Sequence, residues 1–197
     1  MSSSKSALII GLGGITASGK TTMCKSLEHL FSSEKYNLHI KSLHMDDYYR
    51  SDDDPHQKYL EKFDQIDWDC LDAIDTDRFL VDLQSLRLTC DILLVEGFLI
   101  FNIPLPWKNY RLFNLAYYFD LPYEECRQRR SRRNSRSPLR HDYFEKHAWH
   151  AHIKAKKEAF EQNKDIGLEI VDTTKESFEK IQDKIIKDIE TVLKHYS

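Results

Sequence analysis

Gly14-Ile15-Thr16-Ala17-Ser18-Gly19-Lys20-Thr21 matches the pattern G-x-x-x-x-G-K-[ST] at every fixed position. An apolar run at residues 7–11 precedes it, and residues 23–31 continue with helical character. Two glycines let the backbone turn so that successive N–H groups face inward and cradle phosphates at a helix N-terminus. The sequence therefore predicts a phosphate-binding loop between a strand and a helix, with Lys20 reaching the β and γ phosphates and Thr21 holding Mg²⁺. A chance Gly-rich turn is the alternative, and the helical continuation argues against it.

The bulk composition favours one α/β domain. A chain of 197 residues, 41% of them hydrophobic, is long enough for one sizeable core and short for two, so residues 1–197 are expected to form a single domain. The net charge of −3 lacks the basic balance of a protein that coats nucleic acid, and no nucleic-acid partner is expected. The four cysteines are widely spaced without a C-x-x-C pair, which argues against a zinc site or a disulfide framework.

The N-terminus and the hydropathy pattern predict a cytoplasmic protein, with nuclear access left open. Residues 1–6 are short and polar and leave no room for the apolar region of a signal peptide. Every apolar stretch is shorter than the roughly 20 residues needed to span a bilayer, so no membrane partner is expected.

Strand-like and helix-like segments alternate along the chain. Strands are predicted at residues 7–11, 38–43, 91–96, 115–119 and 168–171. Helices are predicted at residues 20–31, 70–86, 123–133, 143–163 and 177–195, with Asp69 and Asp72 opening the second. Alternation implies parallel pairing, hence a doubly wound five-stranded parallel sheet with helices on both faces. Ligands in such sheets bind beyond the carboxyl ends of the strands.

Acidic residues follow two of the predicted strands at that end. Asp46 follows the second strand, where a carboxylate can take the proton from an acceptor hydroxyl, so it is our candidate general base. Glu96 closes the third strand. In other proteins with a phosphate-binding loop, a carboxylate at the end of a neighbouring strand orients Mg²⁺ or its waters. The alternatives are that Asp46 and Asp47 are solvated turn residues and that Glu96 caps the next turn. Residues 98–101 are expected to pack in the core.

Seven arginines and no acidic residue occupy residues 127–140. Three interpretations compete. The segment, about 127–142, could be a lid that folds guanidinium groups over the transferring phosphate and excludes water. It could also be an RNA-binding or nuclear-localisation tract, or a solvated helix face. Its position beyond the phosphate-binding loop and the fourth strand favours the lid.

Trp68 and Asp69 lie just before a predicted helix. A Trp offers a flat face on which a ring can stack, and an adjacent Asp can accept hydrogen bonds from a sugar diol. A Trp beside a helix cap is more often part of the core. The clustered histidines His141, His147, His150 and His152 are interpreted as surface or packing residues, and no zinc is predicted.

With these residues in view, the chain resembles the nicotinamide riboside kinases, a branch of the uridine-kinase-like P-loop kinases, from about residue 8 to residue 178. The resembling segments are residues 14–22, 45–49, 68–69 before the turn at 71–74, 95–98, 121–126 and 143–144. The resemblance implies a P-loop fold of the nucleoside monophosphate kinase type with an Arg-rich lid. It also implies a reaction in which ATP and nicotinamide riboside give nicotinamide mononucleotide and ADP, within NAD⁺ biosynthesis. Nicotinic acid riboside is a second substrate of the family.

The resemblance also implies a role for individual residues. Asp46 would accept the proton of the ribose 5′-hydroxyl and, with Thr21 and Glu96, stand near Mg²⁺. Trp68 takes the place of an aromatic residue that stacks on the pyridine ring, and Asp69 and Arg130 would hold the ribose hydroxyls. Substrate contacts would also come from Asp47, Tyr48 and Tyr49. The ATP side would be formed by the loop from Gly14 to Thr22 and by Arg129, Arg133 and Lys175.

The sequence departs from the family at Ser135. Some members carry a second ring-stacking Tyr there, if the segment up to Tyr143 is aligned without gaps. One aromatic face in place of two would weaken discrimination among ribosides, since a stacked base is worth roughly 1 to 3 kcal/mol. Two other functions stay open, a uridine/cytidine kinase and a nucleotide-binding, RNA-associated regulatory protein that docks through the arginines. Trp68-Asp69 favours the pyridine riboside enzymes over the first.

Overall fold

A computed structural model of the chain describes residues 6–104, 111–132 and 141–195. Its central sheet has five parallel strands: β1 (Leu8–Gly14), β2 (Ile40–His44), β5 (Ile92–Gly97), β6 (Leu115–Asp120) and β7 (Glu169–Asp172). They are ordered β2-β5-β1-β6-β7. The prediction of a five-stranded parallel sheet is confirmed, and each strand lies within a few residues of its expected position.

Helices connect the strands and cover both faces of the sheet. They are α1 (Lys20–Phe31), α2 (Thr76–Leu86), α3 (Tyr123–Ser131), α4 (His141–Tyr143), α5 (Trp149–Gln162) and α6 (Phe178–Leu193). All seven residues of β1 are buried, as expected for the middle strand of a sheet packed on both sides. Two large apolar clusters result, one joining the sheet to α2 and α5 and the other joining it to α1 and α6. Within the described ranges, no helix is long and apolar enough to cross a membrane.

The segment between β2 and β5 differs from its prediction. Helix α2 begins at Thr76 and not at residue 70, because the side chain of Asp75 accepts a hydrogen bond from the N–H of Arg78 and caps the helix there. Asp69 and Asp72 therefore do not open this helix. A short antiparallel hairpin, β3 (Tyr59–Leu60) and β4 (Gln65–Ile66), was not predicted. It is too short to show an alternating pattern in the sequence.

The helix predicted at residues 143–163 is interrupted. A π-helical turn (Phe144–Ala148) joins α4 to α5. Such turns insert one extra residue into the hydrogen-bond ladder, and they are frequent at functional sites. The turn packs Tyr143 and Phe144 into a third apolar cluster, together with Ile15 of the phosphate-binding loop and Cys126 of α3.

Candidate active site

The phosphate-binding loop leaves β1 in a conformation that its glycines permit. Gly14 has a φ of 120°, and a Cβ there would lie 2.1 Å from the carbonyl oxygen of Phe119. Gly19, with a φ of 94°, precedes the first turn of α1. The buried Lys20 donates from Nζ to the carbonyl oxygen of Ile15 at 2.7 Å, which turns its ammonium group into the loop. The loop thus has the backbone geometry that the sequence pattern requires.

Glu96 joins the loop to the neighbouring strands. Its Oε1 accepts a hydrogen bond from Oγ1 of Thr21 at 3.1 Å and lies 3.0 Å from Nδ1 of His44, which faces it across the β2–β5 pair. Burial alone would raise the pKa of Glu96, but the contact with His44 and the charge of Lys20 hold it below its ordinary value. The bond to Glu96 in turn raises the pKa of His44. Glu96 is therefore a buried, ionised carboxylate beside the loop.

Asp46 follows β2 on a single 3₁₀ turn (Met45–Tyr48). It is exposed, and it lines the same cavity as Lys20, Thr21 and Glu96, a space of about 900 Å³. The three carboxyl ends of β1, β2 and β5 thus supply one site. Two carboxylates and a hydroxyl are the oxygen donors that Mg²⁺ prefers, so the residues present fit this ion.

We call the part of the cavity lining that carries the residues expected to bind a sugar and a ring the riboside wall. Tyr49, Trp68, Asp69 and Arg130 all line it. The ring of Tyr49 meets that of Trp68 edge-on at 5.6 Å between centroids. Phe98 packs against the apolar core, as predicted, and it also lines the cavity, where its ring stacks on that of Tyr49 at 6.3 Å between centroids.

Asp69 is the acid of this wall. Its Oδ2 accepts a hydrogen bond from the hydroxyl of Tyr143 at 2.5 Å. Burial raises the pKa of Asp69, while the Tyr143 bond and the guanidinium of Arg130 act in the opposite direction. Arg130 lies over the ring of Phe144, 5.3 Å from its centroid. A carboxylate and a guanidinium facing the same cavity can accept from and donate to a pair of hydroxyl groups.

Arg129, the neighbour of Arg130 on α3, faces a different part of the protein. Its Nε donates to Glu125 at 2.7 Å, and its other nitrogens reach Thr173, directly after β7, at 3.3 Å. Lys175 follows in the same loop and pairs with Asp172 at 3.0 Å. Arg129 and Lys175, both expected on the ATP side, are thus brought to one loop at the β7 edge of the sheet.

Several predicted residues lie outside the cavity. Tyr48 is buried, its hydroxyl donates to Asp82 at 2.7 Å and its ring packs on Phe79, so it belongs to the core. Asp47 and Thr22 are exposed and do not line the cavity. Arg133 and Ser135 lie outside the described residues, as does most of the expected lid. The described start of that segment is helical, with Arg127 paired to Glu124 at 3.0 Å.

The structure adds residues that sequence reasoning missed. Tyr143, Phe144, Trp149 and His152 line the cavity from the segment that contains the π-helical turn. His152 packs on Tyr118 and Trp149, as expected of a packing residue, and it also lines the cavity, where burial lowers its pKa to about 4. Tyr143 lies just before the π-helical turn, Phe144 within it, and the other two residues after it.

Comparison with known proteins identifies the family of this chain. Nicotinamide riboside kinase 2 from Homo sapiens is 30% identical over 206 aligned positions, which cover 94% of this chain and 82% of the relative. The chain belongs to the nicotinamide riboside kinase family. Nicotinamide riboside kinase 1 from the same organism is 29% identical, covering 83% of this chain and 81% of the relative. The family resemblance inferred from the motifs is confirmed.

Two further matches concern the fold of this nicotinamide riboside kinase family member. A family model described as an AAA domain matches residues 10–150. A solved structure of thymidylate kinase from Candida albicans superposes with a TM-score of 0.57 at 15% identity, covering 98% of this chain and 94% of the other. At that identity the match supports the P-loop α/β fold alone.

Proposed function

We propose that this chain transfers the γ-phosphate of ATP to the 5′-hydroxyl of nicotinamide riboside, and of nicotinic acid riboside, to give the mononucleotide in NAD⁺ biosynthesis. The observation that carries the proposal is the composition of one cavity. Lys20, Thr21, Asp46 and Glu96 line it together with Trp68, Asp69 and Arg130. A phosphate-binding loop, a carboxylate base and a polar-aromatic wall are the three parts that a riboside kinase needs.

The phosphate end works by charge and position. Inward-facing N–H groups of the loop and the ammonium of Lys20 hold the phosphates of ATP. Thr21, Asp46 and Glu96 would hold Mg²⁺, with His44 keeping the Glu96 carboxylate oriented. When bound, the ion neutralises the charge that develops on the transferred group. We assign further contacts with ATP to Arg129, Arg133 and Lys175.

The riboside end orients the acceptor. Asp69 accepts hydrogen bonds from the ribose diol, Arg130 donates to it, and Trp68 stacks on the pyridine ring with Tyr49 beside it. This leaves the 5′-hydroxyl facing the phosphates. Asp46 then takes its proton as the oxygen attacks phosphorus, a contribution of about 10²- to 10⁴-fold to the rate. Ser135 stays in the proposal as a substrate contact, whereas Asp47, which does not line the cavity, does not.

A riboside panel tests this function. The purified chain is assayed with ATP and Mg²⁺ against nicotinamide riboside, nicotinic acid riboside, uridine and cytidine, and the 5′-monophosphates are quantified by chromatography. Because the chain belongs to the nicotinamide riboside kinase family, we expect kcat/KM for both pyridine ribosides to exceed that for the pyrimidine nucleosides by at least about tenfold, equivalent to about 1.4 kcal/mol in the barrier. A preference for uridine or cytidine would contradict the proposal.

The domain organisation, the kind of substrate and the location of the protein are proposed on the same basis. The chain acts as a single catalytic domain on a small molecule in the cytoplasm. A binding assay against RNA at several salt concentrations addresses the arginine segment separately. Salt-dependent RNA binding without riboside turnover would replace the kinase proposal by a docking function.

A further inference from the structure

Tyr143 is held rigidly beside the riboside wall. Its side chain is buried, with 5% of its surface exposed. Its ring meets Phe63 edge-on, with centroids 5.5 Å apart and an interplanar angle of 86°. The hydroxyl donates to Oδ2 of Asp69 at 2.5 Å, a short bond of the charge-assisted kind. A fixed ring therefore aims a donor at the carboxylate of Asp69.

The backbone of Asp69 is held by a second contact, from the residue two positions before it. Its N–H donates to Oδ1 of Asp67 at 3.1 Å. Asp67 is buried, and Nε2 of His147, in the π-helical turn, lies 3.0 Å from the same Oδ1 without forming a hydrogen bond to it. The ring of His147 lies 5.3 Å from that of Tyr143. The side chain of Asp69 is thus held directly by Tyr143, and its backbone is held by Asp67, which His147 contacts.

A carboxylate on a short side chain needs such support. The terminal torsion of an aspartate is broad, so an untethered carboxyl group samples many orientations. A bond from Tyr143 to Oδ2 fixes that torsion and leaves Oδ1 and the second lone pair of Oδ2 for a ligand. Oriented contacts of this kind contribute to rate because small misplacements are costly.

We propose that Tyr143 is a positioning residue, which fixes the Asp69 carboxylate in the orientation that accepts the ribose diol. The inference rests on the proposed function and deepens it. It assigns to the segment after the arginines a role in riboside recognition that acts through Asp69. If Tyr143 acts through Asp69, the loss of its hydroxyl changes riboside recognition and leaves ATP binding unchanged.

The charges around Asp69 give the inference a pH signature. Asp69 is faced by Tyr143, by Arg130 of α3, by Asp67, by His147 and by Tyr49. The Tyr143 hydroxyl favours the ionised carboxylate, whereas burial and Asp67 favour the protonated one. Removing the hydroxyl raises the pKa of Asp69. The acid limb of riboside kcat/KM should therefore move to higher pH.

The test is Tyr143→Phe, which keeps the ring and its packing. With ATP saturating, we expect the riboside KM to rise roughly tenfold, because a hydrogen bond to a charged group is worth about 1.5 to 3 kcal/mol. With riboside saturating, the ATP KM should stay within about twofold. Tyr123→Phe is the matched control, since Tyr123 packs on Phe144 in the same cluster and lies outside the cavity. Both variants are assayed at a temperature at which their thermal melts show them folded.

A double variant separates positioning from a general structural role. In an Asp69→Asn background, Tyr143→Phe should change the riboside KM by less than about twofold, because the carboxylate through which it acts is absent. Equal, multiplicative effects in both backgrounds would overturn the inference, as would a parallel rise in the ATP KM. The cycle is run with the best substrate of the riboside panel. If that best substrate is not a pyridine riboside, the proposed function is refuted. The same cycle, run with that substrate, still tests the role of Tyr143.

Discussion

Replacing Asp46 by Asn separates catalysis from folding in this protein. Asp46 is exposed on the 3₁₀ turn after β2, so the substitution should change the free energy of unfolding by no more than about 0.5 kcal/mol. It removes the carboxylate nearest in sequence to the end of β2, in the cavity that Lys20 also lines. If that carboxylate is the general base, kcat should fall by about 10² to 10⁴, equivalent to about 3 to 5 kcal/mol in the barrier.

The structure supplies a matched control next to it. Asp47 is equally exposed, carries the same charge and lies outside the cavity. Asp47→Asn makes the same change in net charge one residue away, and we expect kcat to stay within about twofold. Any long-range electrostatic effect of losing one negative charge from this turn is common to both variants. The difference between them therefore measures the role of Asp46 in the cavity.

The assay follows ADP release at saturating ATP and riboside, with calorimetric titration of ATP on each variant. Asp46→Asn should bind ATP with nearly unchanged affinity, since the loop backbone and Lys20 hold the phosphates. A kcat within threefold of the unsubstituted chain would refute the assignment of Asp46 as the base. So would an equal loss in Asp47→Asn.

Three further changes probe other parts of the structure. Trp68→Ala should raise the riboside KM by about five- to 150-fold, from roughly 1 to 3 kcal/mol of stacking, and leave the ATP KM unchanged in steady-state assays. Gly14→Ala should destabilise the fold by at least about 3 kcal/mol in urea unfolding, because its Cβ would lie 2.1 Å from the carbonyl oxygen of Phe119 at a positive φ. The pKa of His44 is raised above 6.5 by its bond to Glu96, so the stability from this pair is complete below pH 6.5 and is lost as the pH rises through the raised pKa. His44→Gln should remove that decline in thermal melts, and an unchanged pH slope would contradict it.

The sequence predicted those parts of the fold that depend on local pattern. The boundaries of α1 were predicted correctly because a phosphate-binding motif determines its first residue and an apolar stripe continues to Phe31. Strands β1, β5 and β6 were found because buried strands are apolar along most of their length. The start of α2 was wrong, since two acidic residues upstream offered capping side chains and only Asp75 has the geometry. Choosing among such candidates requires knowing where the preceding chain is anchored.

The candidate site was predictable at its strand ends and not at its far wall. Asp46 and Glu96 follow strands, and parallel strands end at one edge, so the sequence sufficed to bring them together. Tyr143 meets Asp69 across 74 positions of sequence, and nothing local signals that contact. Phe98 and Tyr48 show the same limit. Both are aromatic residues near a strand end. Tyr48 packs on Phe79 of α2 in the core, whereas Phe98 packs against the same core and also lines the cavity.

In the proposed reaction, the strand order keeps the two substrates apart. Strand β1 lies in the middle of the sheet and delivers the phosphate-binding loop. On one side, β2 would bring Asp46 to the acceptor hydroxyl of the riboside, and β5 would bring Glu96 to the Mg²⁺ site between them. On the other side, β6 and β7 lead into α3 and the loop at Thr173, where Arg129 is held. We therefore expect the substitution of a cavity-lining residue after β2 to change the kinetics with respect to the riboside. A substitution in the loop after β7 should change the kinetics with respect to ATP. The adjacent residues Arg130 and Arg129 belong to opposite sides, because successive positions on a helix point about 100° apart.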